Sequence, residues 1–337
     1  MKKKLLTLLQ LAIGAGLITF FFINIAHSGK LGEFKNAMHS AAGNWQFLAA
    51  GILAYILCIL LCTTRWVLLL KAQNVSLGFP RALVLYFIGL FFSSFMPGST
   101  SGDIIKAIYV AREVPDKKTE VVSTVFIDRI IGLVGLLILA VVTMIFRFQF
   151  FLSYPQTRIA LGFNITLLLG SIVGFFVIFR HNILEKWSFF SRMEGQTRLG
   201  KIITKAYSAF HACINHPGVL WKTIAISTVN HVVFILCSVL LGTSLGINMS
   251  VLDYLTVFPV INAFASIPFT PGGLGMREGA AIFLLGALNV STSNALAVSL
   301  LIYTSTLFWS LIGGIIYIIF VYKTGYDARK EMEAVEE

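Results

Sequence analysis

Seven titratable side chains stand within or at the edge of long apolar runs: Arg65, Asp128, Arg129, His231, Asp253, Arg277 and Glu278. An ion at the centre of a transmembrane helix costs roughly 2.5 to 3.5 kcal/mol on insertion scales, so such groups persist only when paired or facing water. Arg277 and Glu278 are the most informative, because Pro271-Gly272-Gly273 delivers them on the first turn after a helix break. Glycine there permits positive φ and a close backbone approach, and the following helix N-terminus offers free N–H groups to an anion. A similar break, Pro97-Gly98, precedes Asp103 and Lys106. Together these groups read as an anion-holding cavity with compensating carboxylates. Snorkelling would account for Asp128 and Arg129, near one end of their run, and for Arg65, six residues before Lys71. His231 reads as an interhelical polar residue rather than a proton carrier.

The elements that must position these groups follow from composition. The chain has 337 residues, of which 57% are hydrophobic and 12% charged, with a mean hydropathy of +0.85. A soluble domain carries about 25% charged residues, so a water-soluble globule is excluded. Disorder, collagen and a disulfide-stapled scaffold are excluded too, since there are only four Cys and no Gly or Pro repeat. Only helices and closed barrels cross a bilayer. A barrel would show segments of about ten residues alternating apolar and polar, whereas this chain has continuous apolar runs. The expectation is an all-α polytopic membrane protein in one integral domain, 1–337.

Six runs, 5–26, 45–70, 121–146, 159–179, 219–242 and 295–322, are long enough for full transmembrane helices. Two more, 82–110 and 252–288, are interrupted by the Pro-Gly clusters. Their halves, about ten to seventeen residues each, fall short of a full span and read as broken or re-entrant helical hairpins. Under that layout nineteen Lys and Arg fall on inside loops against four outside, which places both termini in the cytoplasm and the protein in the cytoplasmic membrane. The net charge of +11 is then a topology signal rather than a nucleic-acid-binding one. Pairs of full crossings would give the same loop sides.

The segment 5–26 reads as a retained anchor, with no A-x-A site after Ala26. The inside loop 180–218 carries Leu199, Ile202, Ile203, Ala206, Phe210 and Ile214 at helical spacing, interleaved with Arg198, Lys201 and Lys205. It reads as an amphipathic helix on the inner leaflet. Cys58 and Cys62, one turn apart, are packing residues, and no metal site or structural disulfide is expected. Trp45, Tyr154, Trp187, Trp221 and Tyr322 are interface anchors.

Aligning Pro97 with Pro271 places Gly98 on Gly272 at a separation of 174 residues, with three full spans between the breaks. The halves 1–158, with its break at 97–103, and 159–337, with its break at 271–278, therefore form an inverted repeat. Broken helices in inverted repeats are a transporter hallmark, because the breaks expose backbone groups that hold a polar ligand.

Three stretches resemble the motifs of the flippase-like family also called the lysylphosphatidylglycerol synthase transmembrane region: Phe95-Met96-Pro97-Gly98-Ser99-Thr100-Ser101-Gly102-Asp103-Ile104-Ile105-Lys106, Asp128-Arg129-Ile130-Ile131-Gly132-Leu133 and Pro271-Gly272-Gly273-Leu274-Gly275-Met276-Arg277-Glu278-Gly279. Arg65-Trp66 is similar to the family's second-span Arg. Ser101 departs from the family pattern, standing where the first of a Gly pair is common, which should stiffen that turn.

The resemblance implies a protein that moves a polar-headed lipid between leaflets. Arg65, Arg129 and Arg277 would attract phosphate, while Asp103, Asp128 and Glu278 would balance charge or contact a cationic head group. Pro97, Gly98, Gly102, Lys106, Pro271, Gly272 and Gly273 would shape the same substrate site. Aminoacyl transfer belongs to a separate soluble domain in fused members, so no synthase activity is expected of this chain. No Walker motif is present and no cofactor is expected. Candidate partners are the lipid itself, a second copy of the chain or a separate lipid-modifying enzyme, and not nucleic acid. The alternative is an integral membrane enzyme, or a subunit of one, acting on a polyprenyl- or phospholipid-linked substrate, although no D-x-x-D spacing suits metal-dependent phosphate chemistry.

Overall fold

The computed structural model describes residues 16, 19–23, 26–27, 29–95, 101–179, 217–266, 270 and 273–325. Among these residues there is no strand. The helices run α1 Leu31–Gly43, α2 Trp45–Ala72, α3 Phe79–Phe95, α4 Ser101–Glu113, α5 Lys118–Phe146 after a short 3₁₀ turn, α6 Phe148–Ser153, α7 Pro155–Phe179, α8 Pro217–Ser244, α9 Val251–Ala265, α10 Met276–Gly286 and α11 Thr292–Thr324. Four of them are long and apolar enough to cross a membrane: α2, α5 with its preceding turn, α8 and α11. The expected span 159–179 lies within α7. Most of the expected span 5–26, nearly all of the loop 180–218 with its amphipathic helix, and Trp187 lie outside the described residues.

Both Pro-Gly stretches separate two helices, as the sequence requires of residues that cannot continue an i→i−4 ladder. Pro97, Gly98, Pro271 and Gly272 themselves lie outside the described residues. Helices α3 and α4 pack antiparallel. Near their ends Arg81 Nε donates to Glu113 Oε1 at 2.8 Å, and nearer the tip Gly102 lies against the Gly89 carbonyl oxygen and Ser93 Oγ. A side chain at 102 would overlap that carbonyl, so glycine is what lets the two arms meet. With 17 and 13 residues, the arms span about 25 and 20 Å, and the 15 and 11 residues of α9 and α10 about 22 and 16 Å. Each falls short of a hydrocarbon core of about 30 Å.

The order long helix, two short helices, long helix occurs twice. Helices α8, α9, α10 and α11 begin 172 to 175 residues after α2, α3, α4 and α5 respectively. Helices α2 and α8 cross antiparallel: Gly51 lies beside Leu241, Cys58 beside the Asn230 carbonyl and Arg65 beside Ser227. The two units thus run in opposite senses.

Burial follows the same division. One apolar core gathers around α3 and α4, with Trp66 and Leu70 of α2, Val121 of α5 and Phe320 of α11. A second gathers around α9 and α10, with Leu139 of α5, Leu241 of α8 and Leu301 of α11. Each long helix is therefore apolar-packed toward its ends. The exterior is apolar as well: Leu53, Leu57, Ile145, Ile315 and Ile318 are exposed, a surface that lipid covers. Trp45, Tyr154, Trp221 and Tyr322 are exposed at helix ends, where interface anchors belong.

Candidate functional site

Between the two apolar cores lies a cavity of about 390 Å³. The long helices line it from near their midpoints: Tyr55 on α2, Arg129 and Leu136 on α5, Asn230 and His231 on α8, and Tyr303 and Thr306 on α11. Both broken units reach it. The first contributes Gly89, Ser93, Asp103 and Lys106, and the second contributes Asn262, Ser266, Thr270, Gly273 and Arg277. Helices α4 and α10 both start at the breaks, so both positive dipole ends lie at the level of the cavity.

Asp103 is clamped by two cations. Lys106 Nζ lies 2.7 Å from Oδ1, and Arg129 Nε donates to Oδ2 at 2.6 Å. Lys106 is buried and its ammonium also sits 4.5 Å from the Tyr86 ring centroid and 4.8 Å from that of Trp66, a cation–π arrangement that compensates for lost hydration. The Arg129 side chain, by contrast, is 48% exposed.

Arg65 and Asp128 lie behind this cluster as a bidentate pair, Nε to Oδ1 at 2.7 Å and Nη2 to Oδ2 at 3.0 Å. Arg65 Nη1 also donates to Ser227 Oγ at 3.0 Å. Both residues are 7% exposed, which corrects the snorkelling reading: the charges turn inward and neutralise each other across α2 and α5. Asp253 is likewise paired, with Arg147 at 2.6 Å.

In the second break Gly273 has φ +72° and Gly275 φ +83°, the left-handed conformations the Gly run was expected to supply. Thr270 Oγ1 donates to the Leu274 carbonyl at 2.7 Å, closing the turn. Glu278, with no exposed surface, accepts from the Gly275 N–H at 2.5 Å and from Ser299 Oγ at 2.9 Å. It caps α10 and ties it to α11, off the cavity lining. Arg277, the residue before it, lines the cavity with its guanidinium 5.6 Å from the Tyr303 ring centroid. His231 Nε2 lies 3.0 Å from the Gly132 carbonyl; a carbonyl only accepts, so this nitrogen carries the proton and the residue bridges α8 to α5, as expected.

Of the sequence-nominated residues within the described set, Asp103, Lys106, Arg129, Gly273 and Arg277 line the cavity, while Arg65, Gly102, Asp128 and Glu278 support it from behind. The neutral lining was not nominated: Tyr55, Tyr86, Ser93, Asn230, Asn262 and Tyr303. Their signal was present, since Asn at mid-span is as unexplained as a charge, but hydroxyl and amide groups are common enough in helix interfaces to pass unnoticed.

A polytopic helical fold with paired breaks around a polar centre is now in place, and residues 7–314 match the family described as the lysylphosphatidylglycerol synthase TM region. The chain belongs to that family. Relatives within reach are UPF0104 membrane proteins. One from Pyrococcus horikoshii is 25% identical over 301 residues, 80% of this chain and 86% of the relative. One from Methanothermobacter thermautotrophicus is 22% identical over 316 residues, covering 87% and 86%. One from Methanocaldococcus jannaschii is 23% identical over 303 residues, covering 85% and 87%. In this family member the match takes in both breaks and all four long helices, except the last residues of α11, so every residue lining the cavity falls within the family region.

Proposed function

We propose that this chain translocates a polar-headed phospholipid between the leaflets of the cytoplasmic membrane, with both termini in the cytoplasm. The observation that carries this reading is the cavity at mid-helix level, reached by both broken units, in which Lys106, Arg129 and Arg277 outnumber the single carboxylate, Asp103, among the described lining residues. A phosphate crossing hydrocarbon unaided loses its hydration; here cations and helix N-termini replace it at the depth where the loss is greatest. One phosphate–guanidinium contact at about 5 Å is worth roughly 3 kcal/mol at an effective dielectric constant of 20. The apolar exterior lets acyl chains stay in the bilayer while the head group passes. Movement between leaflets breaks no covalent bond, so no residue is given a catalytic role.

The test is reconstitution of purified protein into vesicles carrying a head-group-labelled lipid, with a membrane-impermeant quencher added outside. Wild type should expose inner-leaflet lipid with a protein-dependent rate, and Arg277→Ala should slow it at least tenfold. If wild type is no faster than protein-free vesicles for every lipid class tried, the reading is wrong.

A further inference from the structure

A second cavity, of about 310 Å³, lies beside the second break. Its walls come from Ile159 and Ala160 on α7, Phe264 near the end of α9, and Met276, Gly279 and Phe283 on α10. Every described lining residue is apolar or glycine. Met276, Gly279 and Phe283 stand at i, i+3 and i+7, on one face of α10, so the groove follows that helix for about 10 Å from the break. Ile159 and Phe283 are exposed, and the groove therefore opens on the apolar exterior that lipid covers.

Two features say what belongs in it. The groove and the cationic cavity share a wall: Phe264 of the groove precedes Ala265 and Ser266 of the cavity, and Met276 of the groove precedes Arg277 of the cavity. Neighbouring residues thus present a guanidinium to one space and an apolar slot to the other. The second feature is a difference between the two units. Gly279, Ala280 and Phe283 correspond, 174 residues earlier, to Ile105, Lys106 and Tyr109 on α4, which are buried, with the Tyr109 ring 5.0 Å from that of Phe320 on α11. Packing fills this helix face in the first unit and leaves it open in the second.

From the shared wall and the open face we infer that the groove seats one acyl chain of the same lipid whose phosphate lies at Arg277. The inference rests on the reading that the mid-helix cavity receives a phospholipid head group, and it adds a separate site for the tail. A lipid bridging the two spaces keeps its chain among Ile159, Phe264 and Phe283 while its phosphate meets the cations, so neither part is left in the wrong environment.

Photolabelling of the protein in reconstituted vesicles reads the groove directly. The probes are phosphatidic acid and diacylglycerol with the same diazirine-bearing chains, so they differ only in the phosphate. Labelled residues are mapped by peptide mass spectrometry, with Ile315 and Ile318, exposed on α11, as the reference for bulk bilayer. A phosphate–guanidinium contact is worth on the order of a hundredfold in binding, so phosphatidic acid should label Ile159, Met276 and Phe283 at least tenfold more than diacylglycerol, relative to that reference. Equal labelling by the two probes overturns the inference, because the groove would then hold any chain of the bilayer. In Arg277→Ala, with a thermal melt confirming the fold, the excess should be largely lost; an unchanged excess in the folded variant overturns the inference too. The quencher assay judges translocation separately. Protein that moves no lipid yet shows this labelling loses the translocator reading and keeps the groove, and protein that moves lipid without it does the reverse.

Discussion

The Arg65–Asp128 pair offers the sharpest test of how this fold tolerates ions. Both side chains are almost fully buried, with two charge-assisted bonds of 2.7 and 3.0 Å between them. Removing one partner of a buried pair costs about 3–5 kcal/mol because the other is left uncompensated. Arg65→Met strands the Asp128 carboxylate and Asp128→Leu strands the Arg65 guanidinium, so each single substitution should cost about 3–5 kcal/mol. The double variant replaces both ions by apolar groups and should recover most of the stability, giving a coupling energy of at least about 3 kcal/mol. At about 2 °C per kcal/mol for a chain of this size, thermal unfolding in a single detergent should show falls of about 6–10 °C for each single and a small one for the double. Singles that add within about 0.5 kcal/mol would mean the two ions are solvated independently, and the inward pairing would be refuted.

Three further substitutions probe the breaks, and a fourth, Gly132→Ala in α5, serves as a control. Gly102→Ala puts a Cβ onto the Gly89 carbonyl and should cost about 1–3 kcal/mol as overpacking; Gly132→Ala, whose nearest new contact is an Arg65 nitrogen at 3.6 Å, should cost much less in the same melt. Gly273→Ala combines φ +72° with a Cβ 2.5 Å from the Ala265 carbonyl; the left-handed conformation alone costs about 1–2 kcal/mol, so both stability and lipid movement should fall. Glu278→Ala strands the Gly275 N–H and Ser299 Oγ and should lower stability by about 1–3 kcal/mol, whereas the head-group preference, measured in vesicles, should stay the same because the residue is off the lining.

Periodicity and composition made the long helices and both breaks legible, because an apolar run and a Pro-Gly stop are local signals that hold whatever packs around them. The 174-residue offset was legible for the same reason. What local signals cannot carry is partnership. Arg65 and Asp128 stand 63 positions apart, and only the crossing of α2 with α5 brings them together; viewed singly, each looks like a charge near a helix end. Glu278 looked like a ligand because it follows a break beside Arg277. The three-residue return of a capping carboxylate to Gly275 was equally available from the spacing and does not require a substrate.

The inverted repeat also explains where the cavity's positive charge comes from. The alignment that sets Pro97 on Pro271 sets Asp103 on Arg277 and Arg129 on Tyr303. In the structure these positions make the same contact in both units: Asp103 meets Arg129, and Arg277 lies over Tyr303. The backbone geometry is shared while the chemistry is not. In the first unit the contact is an ion pair, which consumes a carboxylate and a cation together. In the second it is a cation over an aromatic face, which supports a guanidinium without cancelling its charge. The counterpart of Lys106 is Ala280, so no further cation is matched there. Shape is therefore symmetric and charge is not: the first break holds its cation in an ion pair with Asp103, and the second holds Arg277 against the Tyr303 ring.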